Sequence, residues 1–310
     1  MQSIATFTLN PAIDGSCEAQ SVRHTHKVRT TANRYDPGGG GINVARVVQR
    51  LGGNVRAHYL AGGATGGVLD NLLDRDGIAR SRIDIADHTR ISHAVFEHAT
   101  GREYRFVPEG PLVSEAEWQQ ALVAFAKINA DYLVFSGSLP RGVPGDFYVR
   151  LMAGRDPQSA SRIVLDTSGA ALSATLEAGG LFLVKPSQGE LEQHLGRVLG
   201  DPEEIVAAAQ DIVGRGQARH VAVTMGHEGA ILVGEAGVYR LPAIPVEARS
   251  AVGAGDSFVG AMTLALAQGL PITDAFRRGV AAGTATVLTP GTGLCLPADV
   301  ERIYGEVPAL

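Results

Sequence analysis

Residues 251–258 read Ala-Val-Gly-Ala-Gly-Asp-Ser-Phe, a glycine-rich turn that leads into the apolar stretch 258–266. Glycines let backbone amides converge on an anion, and the start of a helix favours negative charge. Asp256 has a different use in such a turn, because its carboxylate can accept a proton from an attacking hydroxyl while the amides stabilise a transferred phosphoryl group. The alternative is that Asp256 only caps the helix. The amides concerned belong to Gly253, Ala254 and Gly255.

A second glycine run occupies residues 38–41 and is followed by Ile-Asn-Val-Ala at 42–45. Four successive glycines lose much backbone entropy on folding, so close approach of a ligand to the backbone is one reason for them. A plain tight turn is the other. The run has neither the dinucleotide-binding spacing nor the Gly-Lys-Ser/Thr of a P-loop.

Short β-branched or aromatic runs alternate with helical patterns along the chain, which predicts an α/β fold with a central sheet flanked by helices. Apolar spacing predicts a helix at 42–51, and Ser-Glu-Ala-Glu at 114–117 is a capping box that predicts the start of another. The predicted strands are residues 4–9, 132–135, 163–165, 181–184 and 221–224.

Two stretches, at about 14–36 and 88–107, interrupt this alternation with intermixed charged and β-branched residues. We predict that they pair as a small β-sheet that projects over a site as a lid. Because no repeat and no low-complexity linker is present, we expect one domain over residues 1–310 with the lid as an insertion.

Composition excludes several classes of partner. The net charge is −5 and no block of basic residues occurs, so we expect neither nucleic acid nor a membrane as a partner. Cys17 and Cys295 are far apart and lack metal-ligand spacing, which argues against a disulfide framework and a zinc site. The first residues do not form a signal peptide and no apolar stretch reaches about 18 residues, so we expect a cytoplasmic protein.

Five motifs occur together in one order. They are Asn-Pro-Ala-Ile-Asp at 10–14, the glycine run and helix start at 38–45, Gly-Gly-Ala-Thr-Gly at 62–66, Ser-Gly-Ser-Leu-Pro at 136–140 and Gly-Ala-Gly-Asp at 253–256. With these motifs the sequence resembles the ribokinase-like (PfkB) carbohydrate kinases over nearly the whole chain. The resemblance implies a ribokinase-like fold, with a mainly parallel sheet, helices on both faces and a small β lid that also builds a homodimer.

Within that superfamily the sequence is most similar to the B-type 6-phosphofructokinases. Related kinases for fructose 1-phosphate and tagatose 6-phosphate usually carry lysine where this chain has Gly40. The resemblance therefore implies ATP-dependent phosphorylation of fructose 6-phosphate at its C1 hydroxyl, with Asp256 as the base. Those two kinases remain alternatives, and a catalytically silent sugar-phosphate sensor is an alternative of another class.

The resemblance also implies the substrate-binding residues. The sugar hydroxyls would contact Asp14, Gly39, Gly40, Asn43 and Ser138. Four basic residues become candidates for the phosphate of the sugar, since guanidinium groups bind phosphate oxygens in a bidentate manner. Each of the four is alternatively a solvated lid residue. They are Lys27, Arg29, Arg90 and Arg105.

On the nucleotide side the resemblance points to Lys185, Ser187, Thr224, Gly226 and Gly229, with the stretch 248–255. Apolar residues at 246, 252, 282 and 287 suit an adenine slot but also suit a core.

Two departures from the family pattern concern metal ions. The family's Asn-x-x-Glu motif, which holds Mg²⁺ through water, reads Ser187-Gln-Gly-Glu190 here, and Ser-x-x-Glu is also a capping box. We expect Mg²⁺ as the partner of ATP, with Glu190 near its waters. The segment 285–293, which in the family helps to bind K⁺, differs from the B-type pattern and leaves activation by K⁺ open.

Overall fold

A computed structural model describes all residues, 1–310. Thirteen strands form two sheets. In chain order the strands are β1 (Ile4–Thr8), β2 (Ala12–Ala19), β3 (Thr30–Gly38), β4 (Val55–Gly62), β5 (Arg80–Ile85), β6 (Arg90–Glu97), β7 (Arg102–Phe106), β8 (Tyr132–Ser136), β9 (Arg162–Asp166), β10 (Leu181–Val184), β11 (Ala218–Thr224), β12 (Ala230–Gly234) and β13 (Gly237–Leu241).

Ten α-helices connect and cover the strands. They are α1 (Gly40–Arg50), α2 (Gly63–Arg75), α3 (Glu115–Ala126), α4 (Phe147–Ala153), α5 (Gly169–Ala178), α6 (Gln188–Leu195), α7 (Pro202–Gly214), α8 (Ala254–Ala267), α9 (Ile272–Val287) and α10 (Pro297–Glu306). A short 3₁₀ turn at Gly226–Glu228 follows β11.

The large sheet has nine strands in the order β13-β12-β11-β10-β9-β8-β1-β4-β5. All pairs from β5 to β11 are parallel. Only the pairs β11–β12 and β12–β13 at one end are antiparallel, so β12 alone runs against the other strands. The prediction of a mainly parallel central sheet is confirmed. Parallel strands bring their carboxyl ends to one edge, where ligands bind in open α/β sheets. The five predicted strands correspond to β1, β8, β9, β10 and β11.

Two apolar cores lie on opposite faces of this sheet. Alternate strand residues point to opposite sides, so Ile4 belongs to one core and Ala5 to the other. One core contains buried residues of α1, α2, α8, α9 and α10, and the other contains those of α3 to α7. Helices on both faces were predicted, and this is confirmed. The capping box of α3 is also present as predicted, between Ser114 and Glu117.

Both glycine motifs begin helices earlier than their apolar patterns indicate. Helix α1 begins at Gly40, inside the run 38–41, whereas the prediction began at 42. Helix α8 begins at Ala254 rather than 258, which places Asp256 in its first turn. The helix starts themselves therefore form part of the carboxyl edge of the sheet.

The small sheet has the order β3-β2-β6-β7, and its strands fall in the two stretches predicted to pair. β2 and β6 pair in parallel from Ala12 opposite Arg90 to Ala19 opposite Glu97. Assigning this sheet as the lid of one domain stays a prediction. No helix combines the length and the apolar character that crossing a bilayer requires.

Candidate active site

Two cavities meet at the turn 253–256, at the carboxyl edge of the large sheet. Gly253 and Asp256 line a polar cavity of about 160 Å³ against the small sheet. Ala254 and Gly255 line a second, mainly apolar cavity of about 530 Å³. One turn of chain therefore separates two compartments of different chemistry, which is the arrangement that transfer of a group between two ligands requires.

A third cavity, of about 970 Å³, lies elsewhere, at the amino ends of β1, β8 and β9. Of its two cations, Lys127 and Arg155, Arg155 already donates to the Ile128 carbonyl at 2.8 Å and to two serine hydroxyls at 3.1 Å. Of its two carboxylates, Asp131 and Asp156, Asp131 accepts from the backbone N–H and the hydroxyl of Ser3. None of the sequence motifs lines this cavity.

Asp256 is not a helix cap. The N-cap of α8 is Gly253, in the left-handed conformation with φ of 75°, and no side chain caps this helix. The Oδ2 of Asp256 instead accepts a hydrogen bond from Asn43 Nδ2 at 2.9 Å. The helix-cap alternative is therefore wrong, and the carboxylate faces the polar cavity.

The electrostatic surroundings of Asp256 suit a general base. Burial, together with repulsion from Asp166, raises the pKa of Asp256 to about 7, although Asn43 and Lys185 act in the opposite direction. A base whose pKa lies near the working pH combines a large ionised fraction with strong affinity for a proton. The environment of Asp256 thus favours proton transfer.

The glycine run lets α1 approach the strand edge. Gly39 has a φ of 100°, a left-handed conformation that favours glycine. A Cβ on Gly40 would overlap the hydroxyl of Ser136 and lie 2.7 Å from the Gly137 amide nitrogen. A Cβ on Gly38 would overlap the carboxylate of Asp14. Close packing against β8 and β2 therefore requires these glycines, and Gly39 and Gly40 also line the polar cavity.

The polar cavity brings together an acid and two arginines, as predicted from the resemblance. Asp14, Arg90 and Arg105 all line it. Burial raises the pKa of Asp14, and the charges of Arg90, Arg46 and Arg105 partly oppose this. The cavity can therefore bind a ligand that carries both hydroxyls and an anionic group.

Arg90 is held in place by two hydrogen bonds and keeps one donor without a partner. Its guanidinium donates to the carbonyls of Pro108 at 3.0 Å and Asn10 at 2.9 Å. Its Nε is buried and has no partner in the protein. A buried unpartnered donor on a cation is costly unless a ligand satisfies it, so Arg90 suits an anion such as phosphate.

Three predicted substrate residues lie outside the cavity in the single chain. Lys27 and Arg29 are exposed in the connection between β2 and β3. Ser138 is exposed, and its hydroxyl accepts from Asn10 Nδ2 at 3.1 Å. Their roles in binding stay predictions.

The apolar cavity contains three of the predicted nucleotide residues, Thr224, Gly226 and Gly229. Val246 and Val287 line it as well, whereas Val252 lines the polar cavity. An apolar cavity beside the amides of the turn suits a purine base with its phosphates directed at the helix start.

Lys185 lies beneath the turn rather than in the nucleotide cavity. It is buried and pairs with Asp166 at 3.0 Å, and a Cβ on Gly255 would lie 3.5 Å from its Nζ. Burial lowers its pKa, but the carboxylates of Asp166, Glu190 and Asp256 outweigh burial and raise the pKa above the usual value. The ammonium places positive charge under the turn, and the assignment of Lys185 to the nucleotide side stays a prediction.

Ser187 and Glu190 form the capping box of α6. The Ser187 hydroxyl accepts from the Glu190 N–H at 3.3 Å, and Glu190 Oε2 accepts from the Ser187 N–H at 2.7 Å. The capping alternative is therefore present. Neither side chain lines the two cavities.

Sequence reasoning missed four polar residues of the site. Asp166 directly follows the strand predicted at 163–165, a position that could have indicated it, since carboxyl ends of parallel strands converge. Ser92 and His93 line the polar cavity from β6, and Thr292 lines it from the loop after α9. No local pattern distinguishes these three from other polar residues.

Comparison with known proteins agrees with this geometry. The chain is 44% identical over 304 residues to the ATP-dependent 6-phosphofructokinase isozyme 2 of Mycobacterium tuberculosis, which covers 97% of this chain and 88% of that protein. It is 41% identical over 305 residues to the isozyme of the same name from Escherichia coli, covering 98% of each. The crystal structure of phosphofructokinase-2 from E. coli in complex with potassium matches with a TM-score of 0.94 and 40% identity over 99% of both chains.

A family model described as pfkB family carbohydrate kinase matches residues 8–299. This range includes the glycine run, the turn at 253–256 and every strand except part of β1. The chain belongs to the pfkB family of carbohydrate kinases.

Proposed function

We propose that this protein transfers the γ-phosphoryl group of ATP to the C1 hydroxyl of fructose 6-phosphate, giving fructose 1,6-bisphosphate and ADP. The observation that carries the proposal is the position of Asp256, a buried carboxylate with a pKa of about 7 on the turn between the polar and the apolar cavity. The relatives that are 41–44% identical bear the name of this activity.

Several side chains and backbone amides of the site have separate roles in the proposed reaction. Asp256 takes the proton from the attacking hydroxyl, and Asn43 holds the Asp256 carboxylate in place with a 2.9 Å hydrogen bond. The amides at the start of α8 face the transferred group, where the helix dipole and free N–H groups favour negative charge. Lys185, beneath the turn, adds a fixed positive charge.

Arg90 and Arg105 give the polar cavity its affinity for the phosphate already on the sugar. Arg90 is immobilised by two backbone carbonyls, so little side-chain entropy remains to be lost on binding. Lys27, Arg29 and Ser138 remain proposed contacts that need a movement of the small sheet or a second copy of the chain to reach the cavity.

The small sheet acts as a lid in this proposal. Ser250, beside the catalytic turn, donates from its hydroxyl to Glu103 of β7 at 3.3 Å, which ties the sheet to the nucleotide side. A closed lid excludes water that would otherwise accept the phosphoryl group. Tyr35 and Phe106 on the sheet are about half exposed, at 50% and 57%, and support a homodimer that buries this face.

Mg²⁺ would accompany ATP. No group of three or more His, Cys, Asp or Glu side chains is arranged to hold a metal ion by itself. This fits Mg²⁺, which keeps several waters and binds mainly to nucleotide phosphates. Asp166 and Glu190 are the carboxylates near the turn whose oxygens suit metal-bound waters, and the ion would neutralise charge on the phosphates.

K⁺ is the second proposed ion. The segment 285–293 lies against the turn, because the N–H groups of Arg249 and Ser250 both donate to the Val287 carbonyl, at 2.7 and 3.4 Å. The E. coli relative has been crystallised with potassium. A cytoplasmic location, where both free cysteines stay reduced, completes the proposal.

The experiment is an assay of ADP release by the purified protein with MgATP and each of three sugar phosphates, in K⁺ and in Na⁺. We expect the highest kcat/KM with fructose 6-phosphate. A preference for tagatose 6-phosphate or fructose 1-phosphate would contradict the proposed substrate but agree with the proposed kinase activity. If the protein binds all three sugar phosphates without turnover, the sensor hypothesis replaces the kinase hypothesis.

A further inference from the structure

Arg46 is a buried cation on α1 that the proposed mechanism does not use. Its side chain is only 2% exposed, although it lies one helical turn after Asn43. Its three nitrogens all donate. Nε binds Asp76 at 3.1 Å, Nη1 binds the Pro37 carbonyl at 2.9 Å and Asn43 Oδ1 at 3.3 Å, and Nη2 binds Asp36 at 3.4 Å. Such a network defines one position for the guanidinium.

The contact with Asn43 decides which way the amide of Asn43 points. A guanidinium can only donate, so it selects the carbonyl oxygen of Asn43 and leaves the NH₂ group for Asp256. If the amide were reversed, its oxygen would face the ionised carboxylate of Asp256, and two acceptors would repel each other. Arg46 therefore determines whether Asp256 has a donor.

The opposite end of Arg46 contacts the lid. Asp36 belongs to β3, is 1% exposed and also accepts from the hydroxyl of Thr292 at 2.9 Å. Asp36 lies directly opposite Asp14 in the pairing of β2 with β3. A continuous series of hydrogen bonds thus runs from Asp256 through Asn43 and Arg46 to the lid strand.

We propose that Arg46 is a positioning residue for the phosphoryl transfer, acting through the amide of Asn43 to orient Asp256 and to link it to the lid strand β3. This inference rests on the proposed function. It goes beyond that function by assigning a role to a side chain that lines neither cavity.

The charges around Asp256 fix the sign of the expected effect. Asp256 faces Asp166 from β9, Lys185 from the end of β10, Asp14 from β2 and Asn43 from α1. Of these, Asn43 and Lys185 favour the ionised form. Arg46 itself is surrounded by Asp36, Asp76 and Arg50. Losing the orientation of Asn43 removes one of the two groups that favour ionisation and moves the pKa of Asp256 upward.

The test measures kcat at saturating fructose 6-phosphate and MgATP against pH for Arg46→Gln, Arg46→Lys and wild type. In the plot of kcat against pH, the rise on the acid side (the acid limb) reports the pKa of the base. We expect it to move up by about one pH unit in Arg46→Gln, which lowers kcat about tenfold at pH values below that pKa. Arg46→Lys, which keeps a charged donor, should move less. Two variants are used so that poor folding of one leaves the other to decide. The matched control is Asp76→Asn, which removes the charge beside Nε, keeps an oxygen acceptor there and leaves the contact with Asn43. The acid limb of its pH profile should not move.

A double variant tests whether Arg46 acts through Asn43. In an Asn43→Ser background, Arg46→Gln should shift the limb no further. An equal additional shift, or Arg46 variants that lose stability with the limb unmoved, would overturn the proposal.

A readout without turnover separates this inference from the proposed function. The titration of Asp256 is followed in the pH dependence of unfolding, as the difference between each protein and its Asp256→Asn form. An upward shift of this titration in Arg46→Gln supports the inference even in a protein that phosphorylates no sugar. An unchanged titration overturns it even in an active kinase.

Discussion

Replacing Asp256 by asparagine should stabilise the ligand-free protein above neutral pH, at the same time as it removes the base. The carboxyl is buried, and its pKa is raised from 3.8 to about 7. When the pKa of an acid is higher in the folded than in the unfolded protein, stability is greatest below the unfolded pKa, where both states are protonated. As pH rises towards the folded pKa, the unfolded state ionises first and the fold loses stability. The cost of the ionisable carboxyl therefore grows between about pH 4 and pH 7 and is fully present above that range, and an amide has no such cost.

The magnitude follows from the shift. About three pKa units at about 1.4 kcal/mol each give an upper value of about 4 kcal/mol. Asn43 can still donate to the side-chain oxygen of the introduced asparagine, so no buried donor is left unpaired.

The assay is urea unfolding of wild type and Asp256→Asn at a series of pH values from 4 to 8.5, without ligands. The difference in unfolding free energy should grow in favour of the variant as pH rises and level off above about 7. Asp84→Asn, at a carboxylate that is 82% exposed, serves as the matched control for the exchange of aspartate for asparagine itself. A difference that stays constant across this range would refute the reasoning, because Asp256 would then titrate alike in both states.

Three further substitutions test separate parts of the site. Gly40→Ala should cost about 1–3 kcal/mol of stability and weaken sugar binding, since its Cβ would overlap Ser136. The control Gly67→Ala, with open space around the new Cβ, should not destabilise the protein. Thermal unfolding and the KM for fructose 6-phosphate are measured for both variants. Arg90→Lys should raise the KM for fructose 6-phosphate at least about tenfold and leave the KM for MgATP unchanged, because one ammonium cannot replace two anchored nitrogens and a free Nε. An equal effect on both KM values would contradict this assignment. Glu103→Ala should increase ATP hydrolysis relative to sugar phosphorylation, since it removes the contact with Ser250 that holds the lid, and an unchanged ratio of ADP to sugar product would argue against that contact as a closure element.

Local signals predicted much of the fold. The capping box at Ser114 and the strand at 132–135 depend on neighbours within a few residues, and both are present. The two lid stretches were predicted to pair from their shared character, and β2 and β6 do pair. The helix starts were placed too late because glycines, which weaken a helical pattern, occupy the first turns of α1 and α8.

The buried polar network could not be predicted from the sequence. Asn43 meets Asp256 across 213 residues, and Thr292 meets Asp36 across 256. In the sequence nothing distinguishes Arg46 from a solvent-exposed arginine on α1. Only the folded structure shows that it is buried between the carboxylates of Asp36 and Asp76. The ion pair of Lys185 with Asp166 was missed for the same reason, since Asp166 belongs to the neighbouring strand. Contacts of this kind depend on strand order, which local periodicity does not contain.

The most direct test of the account compares kcat and KM of Asp256→Asn with those of wild type, using fructose 6-phosphate and MgATP at pH 8. If Asp256 is the base, kcat should fall about 10²- to 10⁴-fold while both KM values stay close to those of the wild type. The fluorescence or calorimetric titration of ATP should confirm that the variant still binds its nucleotide. Turnover at the wild-type rate in a folded, ATP-binding Asp256→Asn protein would contradict the central claim.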